Sequence, residues 1–295
     1  MPTKTEKDTL SGRETTGHEW DGLKELNTPL PKWWLYTFFA TVAVAFGCFL
    51  LLPSIPYGPG YFHGLLGASS RATVAADVRS MEAQRAVFMD RIRSLPIEQV
   101  RQDPQLLAVA SAAGRITFAA NCQPCHGPGG EGRIGFPNLA GDTWLWGGTL
   151  ADIQQTVTYG IRSGHPKARN SVMPPFGVGG ILKGEQIEAV ADFVWSAFFG
   201  HDAGGKDLTA GRAIFAENCA VCHGEAGQGN RQVGAPALKS AVHLYGDSHA
   251  VIVSQVTNPR LGVMPSWEKR ANNTGLDEAT IKSVALYVHA LGGGE

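Results

Sequence analysis

A fourteen-residue segment that occurs twice, 97 residues apart, constrains this chain more than any other feature of its sequence. Gly114 to Gly127 reads GRITFAANCQPCHG and Gly211 to Gly224 reads GRAIFAENCAVCHG, with nine of the fourteen positions identical. The likeness continues downstream, with FPNL (136–139) against APAL (235–238) and WLWGG (144–148) against HLYGD (243–247). Arg169-x-x-x-Met173-Pro174 then answers Arg260-x-x-x-Met264-Pro265. Self-similarity at such a spacing marks a duplicated domain. Each copy opens with a short helix carrying Phe118 or Phe215 into the cysteine motif, and closes with a helix, about Glu185 to Phe199 and Asp277 to Leu291. The last places Ile281, Val284, Ala285, Val288 and Leu291 on one face, the pattern of a helix packed on a core. Between these helices lie turns rich in Gly and Pro with little strand alternation. Both domains therefore read as all-α, over 106–200 and 206–293, with His201 to Lys206 as linker.

C-x-x-C-H is the attachment signature for c-type haem. Two thiols add across the haem's vinyl groups, and the histidine beside the second cysteine is held beneath the iron. Cys122 and Cys125 would thus bind one haem covalently with His126 as proximal ligand, and Cys219, Cys222 and His223 a second. A Cys2His zinc site would need a fourth ligand close by, and a thioredoxin-like dithiol belongs near a βαβ pattern that is missing here.

The distal ligand follows by elimination. Of the five methionines, Met1 is the initiator, and Met81 and Met89 precede both haem motifs. Met173 and Met264 remain, 47 and 41 residues after His126 and His223, each followed by proline and each at the same place in its repeat. His/Met ligation is a recognised pattern for c-type haem. The alternatives are core methionines, the usual fate of Met, with bis-histidine ligation using His165 and either His243 or His249. Of these histidines only His243 falls in a repeat-aligned segment. Trp144, Trp146 and Tyr245 are candidates to pack on haem edges, and Arg169 and Arg260 to pair with propionates; plain structural roles are the alternative.

Trp33 to Leu52 is twenty residues without a charge, enough for a helix of about 30 Å, the hydrocarbon thickness of a bilayer. It is longer than a signal-peptide core and lacks a small-residue cleavage site after it. Lys4, Lys7, Arg13, Lys24 and Lys32 precede it, whereas 53–70 carries no Lys or Arg. The positive-inside rule then puts 1–32 in the cytoplasm and the bulk of the chain in the periplasm, anchored at the inner membrane by this one helix. Cys48, inside the apolar run, reads as a small hydrophobe. Residues 53–105 form a linker whose segment Ala72 to Arg93 spaces Val74, Val78, Met81, Phe88 and Ile92 at threes and fours, with Arg85 interrupting. A spacer helix and a partner-docking helix fit that pattern equally.

Function follows from the iron's saturation. With histidine below and methionine above, no position remains for oxygen or peroxide, which describes an electron carrier. No nucleophile–base pair or Gly-rich phosphate loop suggests catalysis in this chain. With a net charge of −1 and no basic stripe, nucleic acid is not an expected partner. The competing readings are a dihaem peroxidase with one open iron, a gas-sensing cytochrome whose methionine dissociates, and the cytochrome subunit of another membrane reductase.

Over nearly its whole length the sequence resembles the dihaem subunit, CcoP or FixP, of the C-type (cbb-type) haem-copper cytochrome c oxidases. The resemblance rests on HEWDGLKELNTPLPKWW, GFPNLAGDTWLWGG, MPPFGVGGIL, GVMPSW and YVHALGGGE in that order. It implies an all-α chain of one transmembrane helix and two tandem cytochrome c domains, with two covalently bound haem c. It implies a non-catalytic subunit that takes electrons from a donor cytochrome c and passes them to a monohaem cytochrome c subunit. From there they reach the catalytic haem-copper subunit, which reduces oxygen and pumps protons. Carried over residue by residue, it pairs His126 with Met173 and His223 with Met264.

Overall fold

The computed structural model describes residues 4–272 and 274–295. They fall into two units, the first ending at Met81 and the second running from Glu82 to Glu295.

The first unit opens with an antiparallel hairpin, β1 (Thr15–Trp20) and β2 (Leu23–Leu26). The sequence reading anticipated no strands here, yet the signal was present. Asp21-Gly22 stands between Trp20 and Leu23, and both turn residues adopt positive φ, 51° and 85°, as a two-residue hairpin turn of this kind requires. Next comes α1 (Lys32–Leu51), a helix long and apolar enough to cross a membrane, with none of its residues buried. Cys48 lies on its surface. A helix end leaves carbonyls without intrahelical partners, and here the chain turns back to meet them. A short hairpin, β3 (Pro56–Tyr57) with β4 (Gly60–Tyr61), returns the backbone so that Leu65 N–H and Leu66 N–H donate to the Leu50 and Leu51 carbonyls at 2.9 and 3.1 Å. Gly64 makes the approach possible: its φ is +75°, and a Cβ there would sit 2.5 Å from the Leu51 oxygen.

Helix α2 (Ser70–Ser94) follows. The apolar stripe expected along it is used only at its C-terminal end, where Met89 and Ile92 are buried and Phe88 is partly so; Val74, Val78 and Met81 remain exposed. The second unit continues with α3 (Ile97–Gln102), α4 (Pro104–Asn121), α5 (Gln123–His126), α6 (Leu150–Tyr159) and α7 (Gly184–Ala197). The other repeat supplies α8 (Thr209–Asn218), α9 (Ala220–His223), α10 (His249–Thr257) and α11 (Glu278–His289). Capping side chains start several of these helices. Asp103 accepts from Gln105 and Leu106 N–H, Thr149 from Asp152 N–H, Ser248 from Val251 N–H, and Asp277 from Ala279 and Thr280 N–H.

The helices do not close each repeat upon itself. Two apolar cores form, and each draws on both repeats. The first gathers Ile92, Val100, Leu106, Phe118, Ile153 and Val157 with Ile281, Val284 and Val288 of α11. The second gathers Phe176, Ile187, Val190 and Val194 with Phe215, Ile252 and Val256. Thus α4 and α6 pack on the last helix of the chain, while α7, the closing helix of the first repeat, packs on α8 and α10 of the second. Glycine permits both main crossings. A Cβ on Gly114 would lie 2.1 Å from the Ser283 carbonyl oxygen, and one on Gly211 would lie 2.1 Å from that of Ala189. One turn further along, Phe118 meets Tyr287 at 5.4 Å between ring centroids and Phe215 meets Phe193 at 5.5 Å.

Residues 201–206, expected as the linker between the two repeats, join helices α7 and α8, which pack on each other. They lie in the eleven-residue connection between α7 and α8 at the edge of the second core, where Lys206 Nζ reaches the Asp192 carboxylate at 2.7 Å. Neighbouring helices joined by a short connection pack together at the smallest loop-closure cost. The crossings from one core to the other lie instead near 161–172 and 257–263. The second core is consequently built from one continuous stretch, Met173 to Val256, set between the two sequence-distant parts of the first.

Candidate haem-binding sites

Each cysteine motif continues a core helix directly. α4 ends at Asn121 and α5 carries Cys125 and His126; α8 ends at Asn218 and α9 carries Cys222 and His223. Both histidines are oriented alike: Nδ1 of His126 lies 3.0 Å from the Pro137 carbonyl and Nδ1 of His223 lies 3.1 Å from that of Pro236. A carbonyl can only accept, so Nδ1 donates and the lone pair resides on Nε2, the arrangement that prepares an imidazole to bind a metal. Gly132 N–H and Gly229 N–H fix the two histidine carbonyls at 2.7 Å. Burial pushes both rings below the usual imidazole range, against the carbonyl hydrogen bond, and keeps them neutral. Burial, assisted by the neighbouring cysteine, pushes the Cys122 and Cys219 thiols up to about 11.

Beside Cys219, Cys222 and His223 opens a cavity of about 260 Å³ lined by apolar side chains, among them Phe176, Val194, Phe215 and Leu238. Met173 lines the same cavity. Met264 packs instead on the first core, as does Cys122, and its backbone pairs with Ile161 through reciprocal 3.0 Å hydrogen bonds. The resemblance implies His126 with Met173 and His223 with Met264; in the structure Met173 lines the cavity beside His223, and Met264 packs on the core that also holds Cys122. The two Met-Pro segments dock in matching ways. Phe176 N–H donates to the Val256 carbonyl at the end of α10, and Trp267 N–H to the Val157 carbonyl at the end of α6. An apolar pocket holding two cysteines, a neutral histidine and a methionine fits a covalently attached haem.

The remaining candidates divide. His165 lies 3.1 Å from Glu268 and stacks on Tyr159, and His249 lies 2.9 Å from Asp192; neither lines the second cavity. His243 does, its ring flat against Phe199. Arg169 is bound within the fold, donating to Thr156 Oγ1 and Asp152 Oδ1 over the Trp146 ring. Arg260 stacks on Tyr245, and both line the second cavity. Trp144 packs on the first core and donates through Nε1 to the Gly293 carbonyl, so the WLWGG motif clasps the GGGE segment; Glu295 N–H closes the clasp on the Gly148 carbonyl at 3.1 Å. Sequence reasoning missed Lys282, which is buried yet donates to the Arg93 and Leu95 carbonyls and to Glu278. Its place on the buried face of α11 gave no sign of three waiting acceptors.

Helices folded around C-x-x-C-H motifs, with methionine-bearing loops packed on the same cores, define c-type cytochrome domains carried behind an apolar helix. Comparison with known proteins makes this particular. The family model for the N-terminal domain of cytochrome oxidase-cbb3, FixP, matches residues 12–59, and that for cytochrome c oxidase, cbb3-type, subunit III matches 109–194 and 206–288. The cbb3-type cytochrome c oxidase subunit FixP of Bradyrhizobium sp. (strain ORS 278) is 48% identical over 295 residues, covering 100% of both chains. The subunits named CcoP from Azospirillum sp. (strain B510) and Cereibacter sphaeroides are 47% and 44% identical, covering 98% and 100% of each chain. The chain belongs to the FixP/CcoP family of cbb3-type cytochrome c oxidase subunits.

Proposed function

We propose that this chain is the non-catalytic electron-relay subunit of such an oxidase and carries two haem c. Cys122 and Cys125 would hold one with His126 and Met264 as axial ligands, and Cys219 and Cys222 the other with His223 and Met173. The observation that carries the reading is that Met173 lines one cavity with Cys219, Cys222 and His223, and that Met264 packs with Cys122 on the other core. Haem c supplies a reversible one-electron iron couple. The residues of the chain do the rest. The thiols would anchor the haem, the histidines, held at Nδ1 by backbone carbonyls, would offer Nε2, and the methionines would supply the second protein ligand and keep water, oxygen and peroxide from the iron. The apolar lining of the cavity beside His223 would favour the less charged, reduced state and raise the potential there.

On the same reading α1 anchors the chain in the inner membrane with the N-terminus cytoplasmic and the haem domains periplasmic. A donor cytochrome c supplies electrons, and the monohaem and haem-copper subunits receive them. The test is purification of the complex by a tag on this chain. Two haem c on this polypeptide, retention of b haem and copper, and no carbon monoxide uptake by this chain's ferrous haems are expected. Stoichiometric carbon monoxide binding at its haems, or peroxide turnover by the isolated chain, would overturn the relay role.

A further inference from the structure

Arg162 stands where the two cores meet. Its Nε donates to the Gly262 carbonyl at 2.7 Å and its Nη1 to the Ser171 carbonyl at 2.9 Å. Gly262 is two residues before Met264, and Ser171 is two residues before Met173. One guanidinium therefore grips the equivalent point of both methionine loops, and it also lines the cavity beside His223. Only arginine offers donors fixed in a rigid fork able to span two such carbonyls. The backbone is bent to bring it there: Arg162 has φ 51°, a left-handed conformation that is strained for a residue with a side chain. The turn is held by Arg162 N–H on the Arg169 carbonyl at 2.9 Å, while the preceding residue, Ile161, pairs with Met264 itself.

We propose that Arg162 is the positioning residue shared by both haem sites, setting the reach of Met173 and Met264 together and placing a fixed positive charge between the two centres. The inference rests on the reading of those methionines as axial ligands. Loss of the fork slackens both loops at once, and loss of the charge makes both oxidised states easier to reach, so the two potentials move down together.

The experiment uses the full-length holoprotein and the variants Arg162→Met and Arg162→Lys, each checked for two attached haems per chain. Three readings are taken: the far-red band of methionine sulfur on ferric haem, the two waves of a redox titration, and carbon monoxide uptake by the ferrous protein. In Arg162→Met the band weakens at both sites, both waves shift to lower potential, and carbon monoxide is taken up at both haems. Arg162→Lys, which keeps the charge without the fork, recovers part of both shifts. A haem-loaded Arg162→Met protein in which only one wave moves, or neither, overturns the proposal. Absence of the methionine band from the unsubstituted protein overturns the ligand reading instead, and Met173→Ala with Met264→Ala identify which site is concerned.

Discussion

Asp277 opens α11 by accepting from Ala279 N–H at 3.0 Å, Thr280 N–H at 3.2 Å and Thr280 Oγ1 at 2.8 Å, with Arg93 3.6 Å away. Burial raises the affinity of this carboxyl for a proton. The Thr280 bonds, the Arg93 charge and the Ala279 N–H together outweigh that effect, and the folded group sits below the usual carboxylate range. The direction fixes the pH window. Stability from the ionised cap is complete above about pH 4, the ordinary aspartate value, and is lost as pH falls through the lower folded value. Asp277→Ala should cost about 1 kcal/mol at neutral pH. Asp277→Asn, itself a good cap, should match the unsubstituted protein at pH 7 and flatten its acid limb. Thermal unfolding of the holoprotein across pH 3–7, a range chosen to bracket that value, checks both; an acid limb unchanged in the Asn variant would count against the assignment.

At the scale of elements, the helix crossings explain why glycine opens both copies of the repeated segment. The carbonyls of Ser283 and Ala189 occupy the space that side chains at 114 and 211 would fill, and backbone cannot yield as a flexible side chain can. Gly114→Val should force α4 from α11, remove the lid over Phe118 and cost about 3 kcal/mol or more. Gly211→Val should do the same to α7 and α8. Circular dichroism melts of the two variants would show it, and unchanged melting would contradict the crossing. The conformity of Gly114 and Gly211 was visible in the sequence, as were the apolar helix, the haem motifs and the helical character of both domains. Which helix crosses which was not visible. Phe118 is offered Tyr287 and Phe215 is offered Phe193, and the repeat makes either partner complementary to either glycine. The repeated residue pattern carries no record of which pairing the fold adopts. Arg162 was hidden for a related reason. The repeat offset falls from 99 at Thr149/Ser248 to 91 at Arg169/Arg260, so the first copy has eight extra residues there and Arg162 has no counterpart.

For the whole molecule, the exchange means that the sequence segments matched by the family model and the packed cores are different partitions of one chain. Residues 171–260 contain Met173, α7, α8, the second cysteine motif and α10, a complete core. Residues 106–200 contain the first cysteine motif without Met264 or α11. Expressed separately in a host that attaches haem c, the first fragment should fold and show the methionine band. The second should bind haem without the band and melt without cooperativity, its core lacking the α11 side chains. The opposite result would restore two self-contained tandem domains. The position of α11 at the far end of the chain also bears on the order of events during synthesis and export. Polypeptides emerge from their N-terminus, and domains ordinarily fold in that order. On the proposed export of the haem domains, the first cysteine pair would wait longest for its enclosure, since α11, which covers its core, follows the other helices. The second core can close before it. If the domains are exported and loaded with haem as proposed, Cys122 and Cys125 would stay open through the passage of the remaining chain, and a delay in translocation would prolong the exposure of the first site while leaving the second complete.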